Sequence, residues 1–376
     1  MIIATNVQRD AFGGVTISNL ALFDWLEGTT DTIVGIEFVT ARHILGPVIF
    51  RRYAPTFFRH HIVNGIDIIP RYSWERFRNP RKHWHVLVEA TKDALRQEHP
   101  DVVLINGTYF APWILGRAAH ELGIPIVLRY AGVLQREVAH KNFLIRKRLM
   151  RHEQWIASIA DAIIFPSTLC REVVEREVLG RVVLNGTVIP NPATVLARYR
   201  QKRNERYTVA AVGRWTPVKN FQAFIALHRT LLDRRWPHRA IMVTSYWDEQ
   251  FGIPETMERR EPMSQEDLGR FYRSIDLLVV PSHFETFCNV AAEAIVHGTS
   301  VLVSEQVGCA EILRAAGLER MVIPTFDDPE RVVTAVKRLA ATRLTTKERH
   351  AVAALLDSHG VHQRIVQVLK GVLRTA

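Results

Sequence analysis

Residues 276–298 read DLLVVPSHFETFCNVAAEAIVHG and are the most informative segment of the chain. The apolar run before Pro281 is typical of a strand buried in a parallel sheet. A polar loop with Glu285 follows, and we expect a helix to begin near Phe287 and to carry Glu293 about two turns in. Free N–H groups and the dipole at such a helix N-terminus favour a phosphate. On either side of that anion site, the two carboxylates could accept hydrogen bonds from sugar hydroxyls.

A second segment also lies between a predicted strand and a predicted helix. Residues 212–220 read VGRWTPVKN and lie between an apolar run and a helical pattern. Gly213 would allow the backbone to approach a ligand closely. Arg214 and Lys219 are cations five residues apart, which could clamp a diphosphate and neutralise it as a leaving group without a metal. Together the two segments predict a site for a phosphorylated ligand.

Short apolar runs alternate with helical patterns along the chain, which indicates βαβ units and parallel sheets. The predicted strands are residues 2–5, 32–38, 102–105, 126–128, 162–165, 208–212, 240–244, 277–280 and 300–303. Helices are predicted over residues 86–98 and 112–122, and Gly123 gives a stop signal after the second. Because 376 residues fit two domains, we expect an α/β fold with two open sheets.

The domain boundary is predicted from a break in this pattern. Two prolines interrupt it in residues 188–192, VIPNP, and a basic polar stretch follows. We place a first domain at residues 1–190, a linker at 191–206, a second domain at 207–355 and a C-terminal helix at 356–376.

Composition limits the class of protein. Hydrophobic residues at 47% and charged residues at 23% are ordinary for a folded globular chain. The sequence shows neither a signal peptide nor an uncharged apolar run of about 18 residues, so we expect a cytoplasmic protein. Cys170, Cys288 and Cys309 have no metal-ligand spacing, and the pair His83 and His85 has no partner cluster. We therefore predict no disulfide framework, no metal and no cofactor.

The net charge of +11 is concentrated in the first half. Residues 51–151 contain 18 lysines and arginines against 8 acidic residues, which accounts for ten of the eleven charges. Such a field favours a polyanion, an anionic membrane surface or an acidic substrate, and solvated arginines without a partner are the alternative. Residues 141–152 predict a basic amphipathic helix, so a peripheral position on the inner face of a membrane is a candidate. Nucleic acid is not an expected partner, because no motif that reads it accompanies the charge.

The second half resembles glycosyltransferase family 4, the large retaining family with the GT-B fold. Glu285 and Glu293 have the spacing of that family's glutamate pair. Residues 213–219 are similar to its G-R-x-x-x-x-K segment, and residues 188–191 to its interdomain VIPN element. Other segments that fit the pattern are residues 276–282, 293–294, 298 and 308–311. The resemblance covers about residues 160–340 well and the first domain in outline.

This resemblance implies a hexosyltransferase with two Rossmann-like domains facing across a cleft. It would move a sugar, with retention, from a nucleotide-diphosphate donor to a glycan, a lipid-linked or another acceptor. Glu285 would contact the donor sugar, Glu293 the ribose, and Arg214 with Lys219 the diphosphate. The distal phosphate would meet the backbone of Thr286, Phe287, Cys288, Asn289 and Val290. As in the family, the C-terminal helix is expected to pack on the first domain.

In the first domain, Gly13 and Gly14 follow the first strand and resemble the family's glycine loop that meets donor and acceptor. Three departures distinguish the chain. Cys288 stands where many members have glycine, Ala131 stands where many have histidine, and residues 245–249 replace a glycine-rich turn. Two other functions stay open at this point: a nucleotide-sugar epimerase of the same architecture, and a non-catalytic protein that binds glycans or a membrane surface.

Overall fold

The computed structural model describes residues 1–7, 14–26, 29, 31–39, 59–64, 80–139, 142–193, 205–244 and 252–374. Over these residues the chain divides into two compact units. The first comprises Met1–Pro166, Arg171–Ile189 and His359–Ala376, and the second comprises Ser167–Cys170 and Pro190–Ser358. The predicted Gly13, the residues 245–249 and most of the predicted linker lie outside the described residues.

The first unit is built on a parallel sheet of seven strands. In chain order these are β1 Ile2–Val7, β2 Thr32–Val39, β3 Arg59–Asn64, β4 Val102–Asn106, β5 Ile126–Arg129, β6 Ala162–Phe165 and β7 Gly186–Val188. Their order across the sheet is β3, β2, β1, β4, β5, β6, β7. The central strands β4, β5 and β6 are buried on both faces, which is usual for largely apolar strands of a parallel sheet.

Helices connect these strands. They are α1 Gly14–Leu26, α2 Pro80–Glu98, α3 Phe110–Glu121, α4 Leu134–Glu137, α5 Phe143–Ile159 and α6 Thr168–Val173, which continues as a π-helix over Val174–Leu179. The two predicted helices are confirmed, although α2 begins six residues earlier than expected. Gly123 has a φ of 69° just after α3, which is the conformation its stop signal requires.

The second unit is built on a parallel sheet of six strands. They are β8 Tyr207–Val212, β9 His238–Val243, β10 Glu258–Arg260, β11 Leu277–Val280, β12 Ser300–Ser304 and β13 Val322–Ile323. Across the sheet the order is β10, β9, β8, β11, β12, β13, so β8 and β11 are neighbours although 64 residues separate them in sequence. The carboxyl ends of two distant segments thus meet in the middle of the sheet.

The second unit's helices are α7 Phe221–Asp233, α8 Gln265–Arg273, α9 Asn289–Val296, α10 Ala310–Ala315, α11 Pro329–Ala341 and α12 Thr346–Leu355, with short 3₁₀ turns at Pro217–Lys219 and Glu319–Met321. The helix expected from Phe287 therefore starts two residues later. Cys288 has φ 85° and ψ 79°, which keeps it out of the helix. Glu293 is consequently one turn into α9, and the expectation of two turns was wrong.

The last helix, α13 Ser358–Leu373, belongs to the first unit. Its apolar side chains Val361, Ile365 and Leu369 are buried in one cluster with residues of β1 and α1. The indole N–H of Trp25 donates to Nδ1 of His359 over 3.0 Å. Apolar burial and one directed hydrogen bond thus fix the last helix against the first strand and helix.

Candidate active site

The segments that follow β8 and β11 lie side by side at the carboxyl edge of the second sheet. This is the edge at which open α/β sheets bind ligands. The His283 amide donates to the carbonyl of Val218 over 2.8 Å, which ties the two segments together. The loop with Glu285 and the loop with Lys219 therefore form one structural element.

Lys219 and Glu285 form an ion pair in this element. Lys219 Nζ lies 2.5 Å from Glu285 Oε1, and Ser282 Oγ donates to the same oxygen over 2.8 Å. The side chains are 25% and 14% exposed, so water screens them only partly. The structure therefore brings together two residues that the sequence pointed to separately. Ser282 was not predicted as a site residue.

Gly213 and Arg214 open the same loop. Gly213 has a φ of 154°, a conformation that residues with side chains rarely adopt, and its amide donates to Val243 over 3.0 Å. This bond fixes the turn after β8, and the Arg214 side chain that follows is exposed. The Arg214 side chain is thus open to solvent, whereas the Lys219 side chain is partly buried.

The backbone around Glu285 is clamped onto residues 306–309. The Glu285 amide donates to Gln306 over 3.0 Å, the Gly308 amide to Glu285 over 3.0 Å, and the Cys309 amide to Phe287 over 2.7 Å. Ser167 Oγ adds a bond of 2.6 Å to the Thr286 carbonyl. Backbone bonds on both sides of Glu285 therefore fix the direction of its side chain.

Gly308 is the tightest point of this clamp. A β-carbon placed on Gly308 would lie 2.2 Å from the Thr286 carbonyl oxygen and 2.5 Å from Ser167 Oγ. Both contacts are shorter than any real β-carbon makes, so a side chain here would push the loop away. The sequence showed Gly308 only as part of a family pattern, and it gave no signal for Ser167, whose partner is 119 residues away.

We expect Gly308→Ala to lower the free energy of unfolding by about 2 kcal/mol, because the added methyl overpacks a rigid backbone contact. Affinity for the nucleotide ligand that the resemblance implies should fall as well, since the loop that carries Glu285 must move. Gly371→Ala is the matched control: no atom lies within 4 Å of its β-carbon position in α13, and the change should be neutral or stabilising by up to about 1 kcal/mol. Urea unfolding and nucleotide titration of both variants measure the two effects. Equal stability of the two variants would contradict the tight packing of Gly308 against Thr286 and Ser167.

The N-terminus of α9 lies between the two glutamates in sequence. The amides of Asn289 and Val290 precede the first intrahelical hydrogen bond, which the Ala291 amide makes to Cys288 over 3.2 Å. Asn191 Nδ2 donates to Asn289 Oδ1 over 2.8 Å, so the predicted VIPN element contacts the first helical residue. These amides have the geometry of an anion site, with the positive end of the helix dipole behind them.

Glu293 is hydrogen-bonded to two residues of the second unit, Tyr272 and His297. Tyr272 donates its hydroxyl to Glu293 Oε2 over 3.0 Å, and the Glu293 carbonyl lies 2.8 Å from His297 Nδ1. Burial raises the pKa of the Glu293 carboxyl, and the bond from Tyr272 opposes that shift. The carboxylate is therefore short of water and would gain from a further hydroxyl donor. Neither Tyr272 nor His297 was predicted.

Cys288 is 7% exposed and lies in the apolar core of the second unit. Burial and the nearby Glu285 carboxylate raise the pKa of its thiol to about 12. The thiol is thus neutral at physiological pH, and it is not a nucleophile. Its left-handed backbone conformation explains why glycine suits this position in many family members.

Two sequence models of known families match the chain. The one described as "Glycosyltransferase Family 4" matches residues 47–195, and the one described as "Glycosyl transferases group 1" matches residues 206–342. Together they span most of both units. The chain belongs to glycosyltransferase family 4. It is therefore an enzyme, a glycosyltransferase.

Curated relatives match over short regions. The D-inositol 3-phosphate glycosyltransferase of Mycobacterium sp. strain KMS is 41% identical over 66 residues, which are 18% of this chain and 15% of that protein. The protein of the same name from Nocardia farcinica is 34% identical over 128 residues, 29% of this chain and 28% of that protein. The matched regions thus span less than a third of the length of these relatives.

Solved structures share the fold over the whole length. Sucrose-phosphate synthase from Thermosynechococcus elongatus superposes with a TM-score of 0.79 at 16% identity and covers 100% of both chains. Anabaena HepE in complex with UDP-glucose has a TM-score of 0.68 at 13% identity, covering 100% of this chain and 99% of that one. The glycosyltransferase therefore has the GT-B fold, with two Rossmann-like parallel-sheet domains.

The first unit of the glycosyltransferase has its own polar edge. Asn6 is the penultimate residue of β1, and Asn106 is the last residue of the neighbouring strand β4. Asn6 Nδ2 donates to the Asn106 carbonyl over 3.0 Å, and the Asn106 amide donates to Asn6 Oδ1 over 2.8 Å. Both side chains are buried. Sequence reasoning missed them, although an asparagine at the end of each of two apolar runs was a usable signal.

The segment after β5 lacks the family's histidine and carries carboxylates. A β-carbon on Gly132 would lie 2.1 Å from Glu137 Oε1, so this carboxylate packs directly on the glycine beside Ala131. Glu153 is fully buried and accepts from the amides of Leu134 and Gln135 over 3.0 and 3.3 Å. Burial raises its pKa to about 7, although these bonds oppose the shift. Neither glutamate was predicted.

The predicted Gly14 is the first residue of α1. Among the described residues, no group of three or more His, Cys, Asp or Glu is placed to hold a metal ion. Within the same residues, no helix is long and apolar enough to cross a membrane.

Proposed function

We propose that this glycosyltransferase is a retaining hexosyltransferase that binds a nucleotide-diphosphate sugar on its second unit. The observation that carries the proposal is the Lys219–Glu285 pair at the adjoining ends of β8 and β11. A cation and a carboxylate at one point of a ligand-binding edge can bind the diphosphate and the sugar hydroxyls of a single donor. Two fold relatives solved with UDP-glucose and UDP-2-fluoro glucose support this class of donor.

Lys219 and Glu285 keep each other in place through their ion pair. A bound diphosphate would compete with Glu285 for Lys219 and would bring its own negative charge to the ammonium. Glu285, still held by Ser282, would then accept hydrogen bonds from the sugar. The exposed Arg214 is free of burial costs and is proposed as the second cation of the clamp.

Glu293 is proposed to bind the ribose of the donor. Its Oε2 already accepts from Tyr272, and its raised pKa shows that the surroundings stabilise the carboxylate poorly. A ribose hydroxyl would donate a further hydrogen bond to this carboxylate and so stabilise its charged form. The amides at the start of α9 are proposed to bind the distal phosphate.

The proposed transfer needs no protein nucleophile. The bond between the anomeric carbon and the phosphate oxygen breaks, the acceptor oxygen bonds to the same face of the sugar, and the acceptor proton passes to the departing phosphate oxygen. Lys219 and Arg214 stabilise the charge that develops on the leaving diphosphate, which is the kind of interaction that contributes most to catalysis. Because the phosphate oxygen takes the proton, this route needs no histidine base, and Ala131 can occupy the family's histidine position.

The acceptor is proposed to be a glycan, a lipid-linked or another hydroxyl compound, with phosphorylated acceptors as the first class to examine. The basic segment of the first unit favours an anionic acceptor. The curated relatives are named D-inositol 3-phosphate glycosyltransferases, which points to the same class.

A thermal-shift screen with UDP-, GDP- and ADP-sugars tests the proposal. A donor at a hundred times its dissociation constant should stabilise the folded protein by about 3 kcal/mol and raise the melting temperature by several degrees. Release of the nucleotide only when an acceptor is present would support transfer. Interconversion of the donor without an acceptor would indicate an epimerase, and no shift with any donor would reject the proposed donor class.

A further inference from the structure

The first turn of α5 exposes three consecutive large apolar side chains. Phe143 is 69% exposed, Leu144 73% and Ile145 54%. Single exposed apolar residues are common on protein surfaces, but a contiguous group marks a site of interaction. Asn142 accepts a hydrogen bond from the Leu144 amide and so caps the helix, which begins with these three side chains.

Basic residues follow this apolar group along α5. Arg146, Lys147, Arg148 and Arg151 follow it, and residues 142–152 contain no aspartate or glutamate. The next acidic residue, Glu153, is buried in the interior. Lys147 Nζ lies 5.7 Å from the centre of the Phe143 ring, so positive charge and apolar surface share one side of the helix.

A groove of about 470 Å³ adjoins the group and is lined by Leu144, Lys147, Arg148, Arg151 and His152. The His152 ring stacks on Trp113 at 4.7 Å. Burial and the neighbouring Arg148 lower the pKa of His152 to about 4, so this ring is neutral at physiological pH. Lysine and arginine therefore supply the positive charge of the groove, and that charge persists through neutral pH.

We propose that the first two turns of α5 dock on an anionic phospholipid bilayer. Phe143, Leu144 and Ile145 enter the boundary between headgroups and acyl chains. The cations of the groove contact lipid phosphates. A bilayer is the occupant that satisfies both features, since a soluble polyanion would neutralise the cations and leave the apolar side chains in water.

The place of this surface in the fold connects it with the acceptor. The chain leaves β5 at the carboxyl edge of the first sheet, forms α4 and then starts α5, which returns towards β6. The exposed start of α5 therefore belongs to the edge of the sheet where ligands bind. An acceptor carried by a lipid would meet the enzyme at this edge. This last step rests on the proposed function, whereas docking itself does not.

Flotation of the full chain with vesicles tests the docking. The wild type should float with vesicles of phosphatidylcholine containing roughly 30% phosphatidylglycerol and not with phosphatidylcholine alone, and high salt should weaken binding. Lys147→Glu with Arg151→Glu should reduce the partition coefficient by at least about tenfold. Phe143→Ser with Leu144→Ser should reduce it by at least about tenfold too, through lost apolar burial.

Matched controls come from the second unit. Lys337→Glu with Lys347→Glu makes the same change in net charge at exposed positions, and Leu232→Ser with Leu355→Ser removes two leucines that are each 42% exposed. Both controls should bind vesicles like the wild type. Donor binding should be unchanged in all four variants, which separates failure of docking from failure of the proposed function.

Three results would overturn the proposal. They are absence of flotation with anionic vesicles at low salt, equal loss in the control and α5 variants, and retention on heparin without flotation. The last would indicate a soluble polyanion as the partner of the basic surface.

Discussion

Replacing Lys219 with alanine is expected to lower kcat/KM for sugar transfer by about 10²- to 10³-fold, the scale seen when one preorganised contact to a developing anion is removed. The structure shows why the effect should be large. The Lys219 side chain is only 25% exposed, and its ammonium is fixed against Glu285. Its loss removes a cation and also leaves the Glu285 carboxylate beside the anionic diphosphate. Steady-state rates at saturating acceptor measure this effect.

The double variant Lys219→Ala with Glu285→Gln separates the two contributions, because it removes the cation without leaving an unpaired carboxylate. Donor affinity should partly recover in it, while kcat should stay low. Lys337→Ala, an exposed lysine on α11, is the matched control and should behave as wild type. Arg214→Ala is expected to cost at least about tenfold. Wild-type turnover in Lys219→Ala would show that Lys219 does not stabilise the leaving diphosphate.

Glu285→Gln and Glu293→Gln are expected to damage different steps. Glu285→Gln should reduce transfer by at least about tenfold with little change in affinity for the free nucleotide, because the proposed contact is to the sugar. Glu293→Gln should weaken binding of the free nucleotide, since the proposed contact is to the ribose. Calorimetric titration with the nucleotide diphosphate, beside the transfer rate, measures both.

Tyr272→Phe provides the control for Glu293. It removes the hydroxyl bonded to Glu293 Oε2 and keeps the ring in the core. A moderate loss of nucleotide affinity is expected, smaller than that of Glu293→Gln. Equal loss of free-nucleotide affinity in Glu285→Gln and Glu293→Gln would contradict the division of roles.

The sheets were predictable from sequence where their strands are buried on both sides. All nine predicted strands are present, among them residues 162–165 and 277–280 with the predicted bounds. The four strands that were missed are β3, β7, β10 and β13, and each lies at an edge of its sheet. Edge strands pair on one side only and need no long apolar run, as RHHIVN in β3 and ERR in β10 illustrate.

The site residues that could be predicted are those that belong to a local sequence motif. Lys219 and Glu285 were found because each occupies a recognisable segment after an apolar strand. Ser167 and Tyr272 were missed because their roles depend on partners 119 and 21 residues away, which no local pattern shows. The start of α9 was misplaced because a cysteine in the left-handed conformation gives no sequence signal, whereas a glycine would have.

The acceptor side was the least predictable. The sequence shows the absence of a histidine at Ala131, but not that the Glu137 carboxylate packs on Gly132. Nor does it show that Glu153 is buried under the start of α4, because a glutamate inside a basic helix has the appearance of a solvated residue. Tertiary packing alone determines both placements.

Retaining transfer with Lys219 at the leaving group can be followed directly by proton NMR of the reaction between the donor selected by thermal shift and an accepted acceptor. The proposed mechanism requires release of one nucleotide diphosphate per sugar transferred, a product with the same anomeric configuration as the donor, and loss of both signals in Lys219→Ala. A product of inverted configuration, or transfer that persists unchanged in Lys219→Ala, would contradict it.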